Sequence, residues 1–374
     1  MPYGTVNADV ITTSTAGGVL GAGNASIMKN RIINGAMVID QRNAGASVTP
    51  TTSGTYTLDR WQGRLTQASK YSVQQNAGSI TPPVGFTNYL GVTSLSAYSV
   101  ASGDTFGIQQ LIEGFNTADL GWGTANAKTV TLSFWVRSSL TGTFGGAIRN
   151  DAGDRSYPFS YTISSANTWE QKSITIAGDT TGTWATTTST GIAVQFGLGA
   201  GATYSGTAGA WAATSYTNAT GATSVVGTNG ATFYITGVQL EVGSSATGFE
   251  YVNYQTSLAN CQRYYYRVSI AAGNLDGSIG YAVTTTESRC NTIFPTIMRI
   301  APTALEQSGT AANYRVYGAG AVATTCSAVP TFNVSGVNFA RTSFTVASGL
   351  TTYSTTMHGS NTGATPYLAW SAEL

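Results

Sequence analysis

Residues 130–137 read Val-Thr-Leu-Ser-Phe-Trp-Val-Arg, with an apolar residue at every even position. Successive side chains of a β-strand point to opposite faces of its sheet, so the even positions share one face. The same alternation recurs at residues 173–176 and at residues 233–240. Strands with one apolar face bury that face most simply against a second sheet. These stretches therefore predict two facing β-sheets.

The rest of the chain also favours an all-β fold. Short apolar runs are separated by turn residues at intervals of roughly 8–12 residues, a spacing typical of a sandwich or a barrel. The clearest runs lie at residues 71–75, 106–113, 128–137, 159–163, 170–176, 192–198 and 232–240. Residues 31–40 predict a strand pair, or one bulged strand, broken at the turn dipeptide formed by Asn34 and Gly35.

Charge is scarce, and this excludes several classes of partner. Only 9% of the 374 residues are charged, against roughly 25% in an average globular protein, and the net charge is +1. A chain without a polybasic field is not expected to bind nucleic acid or an anionic membrane. No run reaches the roughly 18 consecutive apolar residues that a membrane helix needs, so no membrane insertion is expected.

The three cysteines predict neither a metal site nor a disulfide framework. Cys261, Cys290 and Cys326 show no spacing typical of zinc ligands, and their odd number argues against systematic pairing. Residues 1–12 contain no basic residue and no apolar core, so they do not predict a secretory signal. These observations predict folding in a reducing cytoplasm.

The composition divides the chain into three parts. Residues 1–29 are too poor in large apolar side chains to build a core, which predicts an attachment arm or an unstructured N-terminus. Residues 30–255 predict the β-sandwich, and residues 256–374 predict a second, smaller β domain. At the start of this C-terminal domain, residues 257–262 predict one helical turn with Ser257 as its N-cap.

Motifs for catalysis are missing from the sequence. The only histidine, His358, lies in a loop-like stretch, which predicts a surface or interface residue better than a catalytic base. Asp151 and Asp154 are close together, but their surroundings predict a solvated hairpin turn better than a catalytic or calcium-binding pair. The glycine run at residues 197–201 predicts a turn or bulge. We therefore expect a protein that is not an enzyme.

Aromatic residues outside the strand patterns are the candidate ligand-binding residues. Trp122, Trp184 and Trp211 lie in stretches rich in Gly, Thr and Ala, and Tyr204 lies near them in the sequence. A ring in such a loop can stack on the apolar face of a sugar, wedge against a neighbouring subunit, or simply pack on its own domain. These four residues are the predicted glycan contacts.

Several motifs, taken together and in order, resemble those of bacteriophage tail fibres and related virion proteins. The N-terminal motif is NRIINGAMVIDQRNAG at residues 30–45, followed by LDRW at residues 58–61. The later motifs are SFWVR at residues 133–137, FYITGVQLEVGSSATGFEY at residues 233–251, LANCQRYY at residues 258–265 and PYLAWSAEL at residues 366–374.

This resemblance implies a jelly-roll sandwich, similar to carbohydrate-binding modules, in a virion appendage that is commonly a homotrimer. It implies that the N-terminal arm contacts other virion or tail proteins, and that the particle binds a host-surface glycan during adsorption. The C-terminal domain would form the distal tip or the trimer interface. Related modules often hold a structural Ca²⁺, for which Asp59 and Glu241 are the nearest acids, although Thr236 and Gly237 replace the usual acidic residues.

Three other functions stay open at this stage. The chain could decorate the head or scaffold the tail of a virion without a receptor role. It could be a capsule or glycan depolymerase that uses dispersed carboxylates. It could also be a secreted bacterial glycan-binding module, which the absence of a signal sequence disfavours.

Overall fold

The computed structural model describes strands Ile11–Thr12 and Val19–Leu20, together with residues 28–318 and 323–374. Most of the predicted attachment arm, residues 1–29, therefore lies outside the described residues. The described chain is nearly all β, which confirms the predicted fold class, and its one α-helix is α1 (Tyr254–Gln262). No helix among the described residues has the length and apolar character needed to cross a bilayer.

Strands are numbered in chain order. The first fifteen are β1 (Ile11–Thr12), β2 (Val19–Leu20), β3 (Tyr56–Leu58), β4 (Trp61–Leu65), β5 (Tyr71–Gln75), β6 (Leu90–Ser94), β7 (Thr105–Glu113), β8 (Val130–Ser138), β9 (Gly142–Arg149), β10 (Ser156–Ile163), β11 (Glu170–Ile176), β12 (Thr190–Ala200), β13 (Ser205–Gly206), β14 (Asn218–Ala219) and β15 (Thr232–Val242). The seven clearest predicted runs correspond to β5, β7, β8, β10, β11, β12 and β15, and are confirmed.

Two antiparallel sheets face one another and form the jelly-roll sandwich. The six-stranded sheet has the order β10-β9-β12-β7-β4-β3, and the five-stranded sheet has the order β11-β8-β15-β6-β5. Val130, Leu132, Phe134 and Val136 of β8 are buried in the core between the sheets, as their alternation predicts. The ring of Phe134 contacts Tyr161 and Phe196 of the opposite sheet, each with a centroid separation of 5.0 Å.

Bulges interrupt the regular alternation in two strands. The pairing of β15 with β8 shifts register between Thr236 and Gln239, where Gly237 has a φ of 61°. Ile235 and Val238 are consequently both buried although three positions separate them, so the strict alternation predicted for residues 233–240 is wrong at this point. The predicted bulge in the glycine run is confirmed, because β12 shifts register between Gly197 and Gly199.

The C-terminal part begins after α1 and has its own, smaller core. Its strands are β16 (Tyr265–Ser269), β17 (Leu275–Ala282), β18 (Glu287–Ile293), β19 (Glu306–Gln307), β20 (Tyr314–Tyr317), β21 (Ala323–Thr325), β22 (Thr331–Ser335), β23 (Phe339–Thr345), β24 (Thr355–Ser360) and β25 (Tyr367–Ser371). A three-stranded sheet has the order β16-β25-β19, and a seven-stranded sheet has the order β21-β20-β24-β17-β18-β23-β22.

Three local predictions are wrong. Residues 31–40 form turns rather than strands, because the buried Asn34 side chain bonds the backbone of Ile39 in both directions and holds the turn closed. The helix α1 begins earlier than predicted, with Asn253 as the N-cap that accepts a hydrogen bond from the Thr256 amide. His358 is fully buried in β24 rather than in a loop, where its Nε2 lies 2.9 Å from the Ser288 hydroxyl and its ring lies 4.4 Å from that of Phe344.

Buried ion pairs join the sandwich to the C-terminal part. The Glu373 side chain pairs with Arg42 and Arg60, and these three residues are called the clasp below. A second pair joins Glu113 of β7 to Arg263, with 2.6 Å between Oε1 and Nη2. Burial raises the pKa of Glu113, but hydrogen bonds from Arg263 and Tyr264 outweigh it and hold the pKa below its usual value.

Candidate functional site

A groove of about 450 Å³ lies beside the sandwich, where the N-terminal motif meets the segment that precedes α1. One wall is formed by residues 30–36 and Val38, and the other is formed by residues 249–252 and by residues 85–87. Its volume falls in the range of about 300–1,000 Å³ that is usual for small-molecule sites. The groove is large enough to hold sugar residues.

Three aromatic rings give the groove its apolar wall. Phe86, Phe249 and Tyr251 contact one another with centroid separations of 5.1–5.7 Å. Tyr251 is 64% exposed, and the two phenylalanines are half-buried, so the rings are accessible to a ligand. Gly85 has a φ of +93°, and a Cβ atom there would lie 2.4 Å from the Tyr251 hydroxyl. The glycine therefore permits the approach of the Tyr251 ring. We call this site the aromatic groove.

Polar groups at the base of the aromatic groove are held by internal hydrogen bonds. The Asn30 amide donates to Glu250 Oε2 at 2.6 Å, and the Asn30 side chain donates to the Val238 carbonyl at 3.0 Å. Arg31 forms a bidentate pair with Asp119, with distances of 2.9 and 2.8 Å. These contacts fix the segment that forms the wall.

Exposed polar side chains stand at the rim of the groove. Thr87, Thr256 and Asn260 line it and are open to solvent. Glu250 is the carboxylate among the described lining residues, whereas glycoside hydrolysis normally uses two. The arrangement of rings beside hydrogen-bonding groups is suited to holding a ligand that has both apolar faces and hydroxyl groups.

The predicted tryptophans lie together, in a different place. Trp122, Trp184 and Trp211 pack edge to face with centroid separations of 4.7–5.5 Å, and we call them the tryptophan cluster. Each indole N–H donates to a backbone carbonyl, at 2.8, 3.1 and 2.8 Å respectively. The ring edges and the indole N–H groups of the tryptophan cluster are therefore already in contact with other groups of the protein.

Tyr204 does not join that cluster. It lies in the short turn before β13, where its carbonyl accepts a hydrogen bond from the Thr217 amide at 2.8 Å. Within the described residues, no ring contact connects it to the three tryptophans. Direct ring contacts therefore group three of the four predicted glycan contacts.

The two acids considered for calcium are held by protein groups. Asp59 accepts two hydrogen bonds from Gln41, each at 2.6 Å. Glu241 accepts hydrogen bonds from Gln239 and Thr247 at 2.6–2.9 Å. In the part of the chain that the structure describes, no group of three or more His, Cys, Asp or Glu residues lies where it could hold a metal ion.

Comparison with known proteins gives similarity at the level of the fold. No protein-family model and no curated protein sequence matches the chain. The enzymatically active domain of tailspike protein 4 from bacteriophage CBA120 is similar to 57% of this chain at 13% identity, with a TM-score of 0.31. This match covers 21% of the tailspike chain, so the present chain spans about a fifth of it.

Two carbohydrate-binding modules also show similarity. A CBM4 module matches 56% of this chain and 98% of its own length at 15% identity, with a TM-score of 0.28. The family 11 module from Clostridium thermocellum, solved with a mixed-linked tetrasaccharide, matches 54% of this chain and 97% of its own length at 11% identity, with a TM-score of 0.27. At these identities the likeness concerns the strand arrangement alone.

Proposed function

We propose that this chain is a bacteriophage virion appendage, a tail fibre or a related protein, that holds a host-surface glycan in the aromatic groove. The observation that carries the proposal is that the two walls of the groove include residues from two different fibre-like motifs. Residues 30–38 belong to the first fibre-like motif, and residues 249–251 are the end of the motif that starts at residue 233. Segments about 200 residues apart in the sequence thus build one ligand-sized groove.

The chemistry of the aromatic groove supports a sugar as the ligand. The exposed face of Tyr251 offers an apolar surface with a polar hydroxyl, and such a ring can stack on the C–H face of a sugar ring. Thr87 and Asn260 at the rim can exchange hydrogen bonds with sugar hydroxyl groups. The single lining carboxylate favours binding without cleavage.

Assembly into a homotrimer would strengthen a weak contact of this kind. Three linked grooves raise the effective sugar concentration that each groove meets, so avidity exceeds the affinity of one site. In this proposal residues 1–29 attach the protein to other virion proteins, and the sandwich presents the groove to the host surface.

The proposal is tested with the full chain and polysaccharide purified from the host surface. Binding is measured by isothermal titration calorimetry for the wild type, Tyr251→Ala and Phe86→Ala. We expect each variant to lose affinity by about tenfold, equivalent to ~1.4 kcal/mol. The matched control is Tyr353→Ala, which removes a tyrosine that is 83% exposed in the C-terminal part and should leave binding unchanged.

Two results would contradict the proposal. Equal binding by the wild type and by both groove variants would place the glycan elsewhere. Release of new reducing ends during incubation would show that the protein cleaves its ligand.

A further inference from the structure

Three glutamine side chains form a row on the outer face of the six-stranded sheet. In the strand register Gln62 of β4 is opposite Gln109 of β7, and Gln109 is opposite Gln195 of β12. Their neighbours Ile108 and Phe196 point into the sandwich core, so the three amides point to the opposite face. We call these residues the glutamine row, and all three are buried.

Two arginines flank the glutamine row. Arg64 is two positions after Gln62 in β4, and Arg149 ends β9. Arg149 is only 6% exposed, and its Nη2 donates to Gln109 Oε1 at 2.8 Å and to Gln195 Oε1 at 3.4 Å. Both of these acceptors are neutral amides, so they do not balance the charge of the guanidinium.

Three buried donors around the row have no hydrogen-bond partner among the described residues. They are Nε of Arg64, Nε of Arg149 and Nε2 of Gln195. Each is an N–H group, so the missing partner is an acceptor. Neither arginine forms an ion pair with a carboxylate in the part of the chain described here.

Arg64 and Arg149 differ from several other arginines in the sandwich because they have no carboxylate partner among the described residues. Arg31, Arg60 and Arg155 each pair with a carboxylate. A buried charge without a counter-charge is strongly destabilising, and a like charge nearby disfavours it further. Burial lowers the pKa of Arg149 to about 9, and repulsion from Arg64 adds to the effect.

We propose that Arg64, Arg149 and the side-chain amide of Gln195 form a binding position for an oxyanion, either the carboxylate of an acidic sugar or a phosphate group. A guanidinium pairs with both groups through parallel N–H···O bonds, and the Gln195 amide supplies a further donor. Arg64 is half-buried, so the ligand reaches the position from the Arg64 end of the row.

A glycine beside Arg64 allows the Gln195 amide to pack closely against the backbone of β7. Gly107 lies opposite Arg64 in the register, and a Cβ atom there would be 2.6 Å from Gln195 Nε2. The oxyanion position shares no residue with the described lining of the aromatic groove. The proposed glycan site and the oxyanion position can therefore fail or succeed separately.

The proposal is tested by ¹H–¹⁵N spectroscopy of the arginine Nε–H groups in the full chain. Sodium glucuronate, inorganic phosphate, glucose and sodium chloride are titrated separately at matched ionic strength. Saturable shifts of the Arg64 and Arg149 resonances with glucuronate, phosphate or both are expected, and the responding anion identifies the source. Glucose and chloride should shift neither resonance. The Nε–H of Arg341, which donates to Asn291 in the C-terminal sheet, is the internal control.

Substitutions test whether Arg64 and Arg149 are the residues that bind the anion. Arg64→Gln removes a half-buried side chain and should weaken anion binding by about tenfold, the effect of losing one charge-assisted hydrogen bond. If the Arg149→Gln variant folds, it should also weaken anion binding by about tenfold. If it does not fold, the Arg64→Gln variant alone tests the proposal. The proposal is wrong if neither anion shifts either resonance, if chloride shifts them equally, or if Arg64→Gln binds as tightly as the wild type.

Discussion

The sandwich and the C-terminal part bury their apolar side chains in different ways. In the sandwich, two sheets bury their apolar faces against one another, and Phe134 is fully buried between them. The seven-stranded sheet of the C-terminal part leaves apolar residues on its outer face, including Ile279 at 69% exposed and its cross-strand partner Met357. The sandwich therefore buries its apolar faces between its own sheets, whereas the C-terminal sheet has a buried face and an outer face that carries exposed apolar residues.

A truncation in the sandwich core should have the largest effect. Phe134→Ala removes a ring that is fully buried between the sheets, and we expect a loss of about 3–5 kcal/mol in the free energy of unfolding. Urea denaturation measures this loss. Hydrogen exchange should show faster opening of the β8 amides, whereas Phe344→Ala should accelerate those of β24 first. Identical exchange patterns for the two variants would show that the two cores open as one.

Breaking the clasp should have the next largest effect. Glu373→Gln leaves the buried guanidinium of Arg60 without its carboxylate, which should cost about 3–5 kcal/mol of stability. The control is Glu306→Gln, because Glu306 is exposed and lies 4.0 Å from Arg42, where a pair contributes about 0–1 kcal/mol. Equal losses for the two variants, measured by urea denaturation, would contradict the role of the clasp.

Acidification should weaken the C-terminal part selectively. Burial lowers the pKa of His358 from 6.5 to about 4, so the folded state holds the neutral imidazole. The stability it supports is complete above pH 6.5 and is lost as the pH falls from 6.5 towards 4. Between pH 7 and pH 5 we expect a loss of about 2 kcal/mol, measured by exchange of the β24 amides.

The His358→Gln variant is the control for this pH effect. It removes the titrating ring, so the difference between pH 7 and pH 5 should largely disappear from β24. The sandwich contains no histidine, and the β8 amides should not show this dependence. A β24 response that persists in the variant would assign the effect to other groups.

The smallest effect should come from the exposed face of the C-terminal sheet. Ile279→Thr changes a mostly exposed side chain in β17 and retains a β-branched residue, so the free energy of unfolding should change by less than about 0.5 kcal/mol. A much larger loss in urea denaturation would show that this face is covered in solution.

The strands were predictable because their signal is local. Alternation in residues 130–137 and in residues 173–176 depends only on neighbouring side chains, and both stretches lie in strands of the sandwich. The strand predicted for residues 31–40 is wrong because the Asn34 side chain replaces strand hydrogen bonds. Composition does not show such an arrangement. The loop predicted for His358 is wrong because the polar residues around it pack inside a sheet.

The candidate site was less predictable because it depends on contacts between distant segments. Phe86 and Tyr251 are 165 positions apart in the sequence and meet only after folding. Tyr251 ends the motif at residues 233–251, but nothing in that motif marks it as a ligand contact, and Phe86 lies outside the quoted motifs. The tryptophans were singled out by their loop surroundings, which the structure shows to pack on one another.

The most direct measurement is a crystal structure of the full chain with an oligosaccharide fragment of the host-surface glycan. An unbroken sugar chain lying against Phe86 and Tyr251 is the predicted result. A sugar bound instead at the tryptophan cluster, or density for a shortened product, would contradict the assignment of the aromatic groove as a glycan site without cleavage.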